Sequence, residues 1–423
     1  MKLLVKRPQA HKNPITSAIL LAYIVYASFV FGVFPAQAVN TAAFIANPEG
    51  PRYLVKSNSQ FLQRSFGVRH SFDKGFTADL SGIQVALAKL FGVELEPVVQ
   101  LHILPELDIP AEEILGKNLK TSSSSRVMPS DQTPWGIETV YNNSLVVSTQ
   151  GGEGIKVAVL DTGVLKSHPD LKNRVKECKD FSNPRFPVKD GACDDKNGHG
   201  THVSGTILAD GGTDKLGIYG VAPEASLFAY KVCGNDGSCW ADDIAVALKT
   251  AADSGANIVN LSLGSDSDSS LIREAVGYAI SKDVLIIAAA GNDGPYSLSI
   301  DYPAANVAVV AVGAIDKDLA VPDWSSRGNN LNSLVYIVEE KDMEFGAPGV
   351  GVESTWKNGG YTVLSGTSMS SPHIAGLAAK LWQGLAPEGE KAKATRDLLH
   401  QSAKDIWTPG DDDATGFGLP QVK

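Results

Sequence analysis

Short apolar runs alternate with amphipathic segments along the second half of the chain. Two segments, 242–256 and 269–282, repeat apolar residues at the spacing of a helix. Four runs have the length and continuity of strands buried on both faces: 155–161, 257–263, 284–290 and 307–315. This alternation predicts an α/β fold with a central, mostly parallel sheet flanked by helices. In such sheets, functional residues collect at the carboxyl ends of the strands.

A different pattern precedes this region. We expect a strand at 52–57, a helix at 80–92 and one or two strands at 93–104, which together predict a small α+β domain. The helix is expected to begin after the N-cap Ser81. The side chains expected on its buried face are Ile83, Leu87, Leu90 and Phe91.

Two further segments interrupt the regular pattern. Residues 120–132 are polar and rich in serine, which predicts an exposed linker that proteases can cut. Residues 332–346 are expected to form an inserted β-hairpin.

The first 38 residues have the organisation of an export signal. Basic residues precede a long apolar run at 15–34, and Ala36-Gln37-Ala38 is a typical cleavage site. The apolar run is also close to the length of a membrane-spanning helix, so a retained anchor is the alternative. The cleavage site favours a signal peptide that is removed, and hence secretion.

The 423-residue chain carries a formal net charge of −10, and the acidic excess lies beyond residue 130. An acidic body argues against nucleic-acid binding, which needs a basic surface. Solubility explains this charge more simply than attraction of a cationic partner does.

Four cysteines are present: Cys178, Cys193, Cys233 and Cys239. Since an exported protein meets an oxidising compartment, an even number of cysteines predicts two disulfides. Three pairings are possible. We favour Cys178–Cys193 and Cys233–Cys239, because each closes a short loop rich in glycine and aspartate. A zinc site is less favoured, since the sequence has no C-x-x-C spacing.

Two polar residues follow predicted buried strands. Asp161 ends the strand at 155–161, and Asn292 comes soon after the strand at 284–290. An aspartate at a strand end can be held half-buried, and an asparagine amide can donate to a developing oxyanion. Each also has a purely structural explanation, since aspartate is a common cap and Asn-Asp-Gly is a good turn.

The stretch NGHGTHVSGT, residues 197–206, places His199 between two glycines and His202 one helical turn later. The lack of side chains at Gly198 and Gly200 would let a substrate approach His199. Either both histidines bind a metal, or His199 is a catalytic base and His202 is a packed helix residue. The H-E-x-x-H motif of zinc peptidases is absent.

Ser368 lies at the start of a predicted helix, in the stretch SGTSMSSPH. The start of a helix carries unpaired N–H groups and a partial positive charge. A serine there is usually a cap, but it also lies where an oxyanion would be stabilised. The G-x-S-x-G elbow of α/β-hydrolases is absent.

Eight motifs occur in one order within residues 131–423: VAVLDTGV, HPDL, NGHGTHVSGT, YGVAPEASLFAYKV, NIVNLSLG, AAAGNDG, VAVVAVGA and GTSMSSPH. With them, the chain resembles the subtilisin-like serine peptidases, or subtilases, whose triad follows the chain order Asp-His-Ser. Residues 52–105 resemble, more loosely, the inhibitory propeptide of this family, which also helps the catalytic domain to fold.

The resemblance implies roles for four residues. Ser368 would be the nucleophile, and His199 the general base and then the general acid. Asp161 would orient His199 and stabilise its imidazolium. Asn292 would join the backbone N–H of Ser368 as the oxyanion hole.

The resemblance also implies a substrate-binding strand. Ser262, Leu263 and Gly264 resemble the edge strand that pairs with the substrate backbone and forms one wall of the specificity pocket. Asp301 falls near the base of this pocket, where the family often has glycine. We hypothesise that Asp301 favours a basic substrate residue on the acyl side of the cut. A calcium or salt-bridge role is the alternative.

Subtilases often bind calcium, and the resemblance implies a calcium site here. Asp170, Asp214 and the carbonyl oxygens of Leu216 and Ile218 match the family's ligands, and oxygen ligands suit Ca²⁺. A side chain from residues 131–132 is expected to contribute.

The sequence therefore predicts a secreted, extracellular serine endopeptidase made as an inactive precursor that cuts itself between Lys120 and Gln132. The expected domains are a signal peptide (1–38), an inhibitory propeptide (39–130) and a subtilisin-like peptidase domain (131–423). Expected partners are protein or peptide substrates and the chain's own propeptide, with no nucleic acid and no stable membrane association after signal removal. The alternatives are a non-catalytic protein that kept the fold and a metallohydrolase that uses His199 and His202.

Overall fold

The structure is a computed structural model that describes residues 51–104, 127–330, 334–382, 387 and 389–423, all within one compact unit. The strands are β1 (Arg52–Val55), β2 (Ser71–Phe72), β3 (Gly75–Asp79), β4 (Leu95–Pro97), β5 (Gln100–Ile103), β6 (Lys156–Asp161), β7 (Val175–Asp180), β8 (Lys189–Asp190), β9 (Ser226–Lys231), β10 (Ser238–Trp240), β11 (Ile258–Leu261), β12 (Leu263–Gly264), β13 (Leu285–Ala289), β14 (Val310–Ile315), β15 (Phe345–Pro348), β16 (Val352–Thr355), β17 (Tyr361–Leu364), β18 (Ala403–Lys404) and β19 (Leu419–Pro420).

The helices are α1 (Gln60–Phe66), α2 (Gly82–Leu90), α3 (Trp135–Val140), α4 (His199–Leu208), α5 (Ala241–Asp253), α6 (Ser270–Ser281), α7 (Thr367–Leu381) and α8 (Lys391–Ser402). No helix among the described residues is both long and apolar enough to cross a membrane.

An eight-stranded sheet forms the centre, in the order β15-β14-β13-β11-β6-β9-β7-β8. All neighbouring pairs are parallel except β7 and β8. The predicted α/β fold is confirmed. β6, β11 and β13 are neighbours, so their carboxyl ends lie along one edge of the sheet, which brings Asp161 and the residues after Leu261 and Ala289 together.

Helices cover both faces of this sheet. Alternate residues of a strand point to opposite faces, so Val259 packs into the core under α5 and α6, whereas Ile258 packs into the core under α4 and α7. Continuous apolar strands are therefore buried on both sides, which is why their sequences lack polar alternation. The start of α4 and the start of α7 carry the residues of the candidate site.

Residues 51–97 form the predicted small α+β domain, with a sheet of order β2-β3-β1-β4. Ser81 caps α2 through a capping box with Gln84, as the sequence predicts. The predicted buried face is wrong, because α2 buries Ala88 and leaves Ile83, Leu90 and Phe91 exposed. A helix of nine residues has little apolar periodicity, and contact with Phe66 and Phe76 decides its orientation.

A buried ionic cluster joins this domain to the first turn of α5. We call Asp242 and Asp243 the aspartate pair. Arg52 Nη1 lies 2.8 Å from Asp242 and 3.2 Å from Asp243, and Arg69 Nη2 lies 3.0 Å from Asp243. His70 Nε2 lies 2.7 Å from Asp243. Burial alone would lower the pKa of Arg52. The neighbouring carboxylates, chiefly the aspartate pair, raise this pKa by more than burial lowers it, so the guanidinium stays charged.

Both favoured disulfides are confirmed: Cys178–Cys193 and Cys233–Cys239. The second closes the loop that ends in β10. The hairpin expected at 332–346 is wrong for the described part, because residues 334–344 contain no strand and Phe345–Pro348 pairs in parallel with β14 instead. Buried positions at the end of the segment favour the central sheet over a local hairpin.

Candidate active site

Asp161 and His199 form a buried pair at the carboxyl end of β6. His199 Nδ1 lies 2.9 Å from Asp161 Oδ1 and 3.0 Å from Oδ2. The Asp161 carboxylate also accepts a hydrogen bond from the backbone N–H of Thr162 at 2.6 Å. A carboxylate facing Nδ1 holds the proton on that nitrogen, so Nε2 is the proton-accepting nitrogen of the neutral ring.

Asp195 fixes the start of α4, and the sequence did not reveal this role. Its Oδ1 accepts hydrogen bonds from Gly198 N–H at 2.7 Å and Thr162 Oγ1 at 3.0 Å. Its Oδ2 accepts from Thr201, through both N–H (2.9 Å) and Oγ1 (2.6 Å). One carboxylate therefore ties the end of β6 to the helix that carries His199. An aspartate shortly before a helix start was the available signal.

Gly198 and Gly200 allow close packing rather than substrate access. A Cβ on Gly198 would lie 2.5 Å from the Trp356 ring. A Cβ on Gly200 would lie 2.2 Å from the Gly163 carbonyl oxygen. The expectation that these glycines open a path to His199 is therefore wrong, because protein atoms fill both positions.

His202 is a packed helix residue. Its Nε2 lies 3.0 Å from the Val352 carbonyl oxygen, and burial lowers the pKa of His202 to about 3. Since His199 faces Asp161 and His202 faces the backbone, the two histidines do not present a shared ligand pair.

Ser368 is the second residue of α7 and is buried. Its Oγ donates to the Ser262 carbonyl oxygen at 3.2 Å, and Ser262 Oγ donates to the Ser368 carbonyl oxygen at 2.9 Å. Asn260 Nδ2 donates to Ser262 Oγ at 3.0 Å, and Ser371 Oγ lies 2.9 Å from it. This network fixes the start of α7 against the chain between β11 and β12. Asn260 and Ser371 were not predicted.

Asn292 contacts the same helix start from β13. Its Oδ1 accepts hydrogen bonds from the N–H and the Oγ1 of Thr367, each at 3.0 Å. The carbonyl end of the amide is thereby fixed, which makes Nδ2 the donor end. A Cβ on Gly366 would lie 3.3 Å from that Nδ2, so the donor lies beside the turn that leads into Ser368.

These contacts bring the four predicted catalytic residues to one edge of the sheet. Asp161 and His199 touch directly, Asn292 touches the residue before Ser368, and α4 packs against α7. A hydroxyl, a base with an orienting carboxylate, and an amide donor at a helix start are the groups that acyl transfer needs.

A cleft beside Ser368 is lined by two short strands. β5 lies between β10 and β12 and is antiparallel to both. Leu263 and Gly264 pair with Ile103 and His102, as expected for a strand that binds an extended backbone. The opposite edge, β10, was not predicted, because three residues at the end of a disulfide loop give too short a pattern.

Asp301 is buried against β12, one wall of this cleft, and against the segment that leads into Asn292. Its carboxylate oxygen Oδ2 would lie 2.7 Å from a Cβ on Gly264 and 3.0 Å from a Cβ on Gly291. Asp266 and Asp293 lie close by, with ligand atoms of the three residues within 4.8 Å of one another. Burial, and then Asp293 and Asp266, raise the pKa of Asp301 to about 7.

The predicted calcium residues lie in and beside one loop. Asp170 is fully buried and accepts hydrogen bonds from Ile218 N–H (3.0 Å) and Tyr361 Oη (2.7 Å). Asp214 accepts from Leu216 N–H at 3.2 Å, and the Ile218 carbonyl accepts from Gly211 N–H.

Gln132 also reaches this loop. Its Nε2 donates to the carbonyl oxygens of Lys215 (2.7 Å) and Gly217 (3.1 Å). Carboxylate, amide and backbone oxygens predominate, and this donor set fits a hard cation.

Comparisons with known proteins agree with this geometry. The model of the subtilase family matches residues 152–418. The "Subtilisin" of Bacillus sp. (strain TA39) is 44% identical over 416 residues, covering 92% of this chain and 96% of that protein. The "M-protease" of Shouchella clausii (strain KSM-K16) is 35% identical over 347 residues, covering 81% of this chain and 84% of that protein.

Two solved structures are also similar. "S41 Psychrophilic Protease" is 50% identical with a TM-score of 0.66, and "Sphericase" is 48% identical with a TM-score of 0.66. Each comparison covers 70% of this chain and 99% of the other. The extent of the family match and the identity to full-length relatives lead to one conclusion: the chain belongs to the subtilase family and is a serine peptidase.

Proposed function

We propose that the chain is a secreted endopeptidase whose reaction is carried out by Ser368, His199, Asp161 and Asn292. The observation that carries the proposal is the buried Asp161–His199 pair beside the helix start that holds Ser368 and contacts Asn292. Ser368 Oγ attacks the peptide carbonyl carbon while His199 Nε2 takes its proton. The Asn292 amide and the Ser368 N–H stabilise the oxyanion.

The acyl-enzyme then forms and is released by water. Imidazolium His199 donates its proton to the leaving amine, and Asp161 stabilises the ring while it is charged. His199 next removes a proton from water, which attacks the acyl carbon, and His199 then returns this proton to Ser368 Oγ as the ester bond breaks. Every proton transfer uses Nε2, because Asp161 holds the proton on Nδ1.

We further propose that residues 39–130 are an inhibitory propeptide of the peptidase domain 131–423. β5 occupies the cleft in the way that an extended substrate would, with both of its edges paired. The Leu263–Ile103 pairing, continued by one residue, sets Leu104 opposite Ser262. The next residue is Pro105, and its nitrogen carries no N–H. The proposed maturation cut lies further along the chain, between Lys120 and Gln132.

Calcium is proposed as a structural ion in the loop beside Asp170. Asp170, Asp214 and the carbonyl oxygens of Leu216 and Ile218 would hold it, and Gln132 would add its side-chain oxygen after rotation of the amide, whose nitrogen faces the loop in this structure. Bound there, the ion would stabilise the fold by linking this loop to the segment that begins the peptidase domain.

Export is proposed from the signal peptide at 1–38, which lies outside the described residues. Residues 120–126 of the proposed linker, including the start of the cut interval, also lie outside them.

Intact mass tests self-cleavage directly. Wild type, Ser368→Ala and Ser370→Ala are expressed with the export signal and purified. Ser370 is the matched control, because it lies in the same helix turn and its buried Oγ makes no hydrogen bond among the described residues. We expect wild type and Ser370→Ala to lose the propeptide and Ser368→Ala to keep it.

A fluorophosphonate probe reads the same site independently of maturation. It should label wild type and Ser370→Ala but not Ser368→Ala. Identical cutting of all three proteins together with absent labelling of wild type would contradict the proposed function.

A further inference from the structure

Asp301 differs from the other buried aspartates near the cleft. Its side chain is 3% exposed, yet no described residue donates a hydrogen bond to its carboxylate. By contrast, Asp161 and Asp195 each accept hydrogen bonds from neighbouring groups. A buried carboxylate without a donor or a cation is costly, so its presence indicates a group that arrives from outside.

The carboxylate lies against two glycines, one in β12 and one next to Asn292. Gly264 belongs to β12, which pairs with β5, and Gly291 precedes Asn292. A side chain on either glycine would collide with Asp301 Oδ2. The lack of side chains at both glycines therefore leaves room for the Asp301 carboxylate. This position lies beside the substrate residue whose carbonyl would face Asn292.

Two more carboxylates make this position strongly negative. Asp266 and Asp293 are exposed, and their ligand atoms lie within 4.8 Å of those of Asp301. Lys341 is the cation that lowers the pKa of Asp301, but burial and the two aspartates outweigh it. A cation placed among the three carboxylates would offset the repulsion between them and the free-energy cost of burying the Asp301 charge.

We propose that Asp301, with Asp266 and Asp293, forms a subsite for the cationic side chain of a Lys or Arg on the acyl side of the scissile bond. This inference rests on the proposed function and adds its substrate class. The apolar stem of Lys or Arg passes between the two glycines, and the charged head meets the carboxylates. Arg can contact two carboxylate oxygens at once.

The chain's own sequence agrees with this specificity. The proposed cut interval contains Lys120 and Arg126 as its only basic residues. In the segment that occupies the cleft, the residue after β5 is Leu104, whose side chain offers no charge to Asp301. The blocking segment is thus a poor substrate, and self-cleavage is expected after Arg126 or Lys120.

Peptides that differ only in the residue before the cut test the proposal. We would measure kcat/KM of matured enzyme for Arg, Lys, Leu and Phe in that position, with wild type, Asp301→Asn and Asp397→Asn. Asp397 lies on α8, its side chain is 47% exposed, and its ion-pair partner is the exposed Lys393, so its substitution controls for net charge away from the site. Wild type and Asp397→Asn should prefer Arg and Lys over Leu at least tenfold, and Asp301→Asn should reduce that ratio at least tenfold.

The ratio should also rise with pH through about 7, because the free carboxyl must lose its proton to pair with a cation. The mature N-terminus of wild type is a second readout, and it can be measured even if Asp301→Asn matures poorly. Intact mass of wild type should place it at Val127 or Thr121, and a cut after any uncharged residue would count against the subsite.

Other outcomes separate the possible errors. Equal or lower rates for Arg and Lys in wild type overturn the subsite, as does a preference that Asp301→Asn leaves unchanged. If Asp301→Asn instead loses a calcium-binding event in titrations with calcium chloride, and no preference for basic residues exists, the cluster holds an inorganic cation. If no peptide is cut and the fluorophosphonate probe does not label Ser368, the proposed function itself fails.

Discussion

The aspartate pair and Asp301 are both buried acidic groups, but their surroundings are opposite. Asp242 and Asp243 contact two arginines, a histidine and a threonine hydroxyl that all come from residues 51–97. Asp301 has two carboxylates beside it and no donor among the described residues. The paired site is completed by the part of the chain that we propose to be removed.

The different surroundings of the two sites indicate at which stage each buried carboxylate has a counter-charge. Residues 51–97 supply the partners of the aspartate pair, and the proposed removal of the propeptide would take these partners away. Asp301 has no hydrogen-bond donor among the described residues, and the proposed subsite would supply its counter-charge when a basic substrate binds. A buried charge is stable only with its counter-charge, so each site favours a different stage of the enzyme's life.

The largest effect is expected at a third buried aspartate, Asp161, whose partner is the catalytic base His199. Asp161→Asn would replace an acceptor by an amide that can donate to Nδ1 and thereby hold the wrong tautomer. We expect kcat to fall about 10⁴-fold. Rates of propeptide loss and of fluorophosphonate labelling measure this effect.

The fold should not change in this variant, because the side chains have the same shape. Thermal unfolding of Asp161→Asn in the Ser368→Ala background serves as the control. A loss of less than tenfold would show that Asp161 only helps to pack His199.

Asp243→Ala tests the paired site. In the Ser368→Ala precursor, it leaves Arg69 and His70 buried without their carboxylate, so the free energy of unfolding should fall by about 3–5 kcal/mol. Denaturant unfolding of the precursor measures the change. An unaltered midpoint would mean that the ionic cluster does not hold the two parts together.

Asp301→Asn tests the unpaired site through stability. The folded protein raises the pKa of Asp301 to about 7, so folding favours the protonated form. Its contribution to stability therefore falls as pH rises from about 4 to about 7. In the Ser368→Ala background, the substitution should raise Tm at pH 8 by at least about 2 °C, for roughly 1 kcal/mol, and change it little at pH 4. An equal shift at both pH values would contradict the raised pKa.

Lys74→Ala is expected to change precursor stability least, and it serves as the reference for the effect of Asp243→Ala. Lys74 Nζ lies 3.4 Å from Glu274 across the same interface as the aspartate pair, but the lysine is 71% exposed. Solvent screens such a pair, so precursor stability should change by less than about 1 kcal/mol. If Lys74→Ala lowered the free energy of unfolding as much as Asp243→Ala, burial would not explain why one ion pair matters more than the other.

The sequence predicted what depends on long patterns and extended motifs. Buried strands such as β6 and β13 were predicted correctly because their apolar residues are continuous, and the cap of α2 because its hydrogen bonds are local. Both disulfides were predicted correctly because each closes a short loop. The residues expected at the carboxyl ends of strands do meet at one edge, because parallel neighbours end together.

Features that depend on distant contacts were missed. Asp195 positions His199 through hydrogen bonds that no local pattern encodes, and the fit of Trp356 against Gly198 reverses the reason expected for that glycine. The exposed face of α2 and the strand at Phe345 show the same limit, since packing partners far along the chain decide which apolar residues become buried.

Trp240 gives the precursor a spectroscopic property. The Arg52 guanidinium lies 4.6 Å from the centre of this indole ring, and the ring belongs to β10, which pairs with Gln100. The proposed removal of the propeptide would take away both the stacked cation and the neighbouring strand, and it would admit water to the ring. The indole emission of Trp240 will therefore move to longer wavelength as the enzyme matures, which makes activation visible by fluorescence without an added dye.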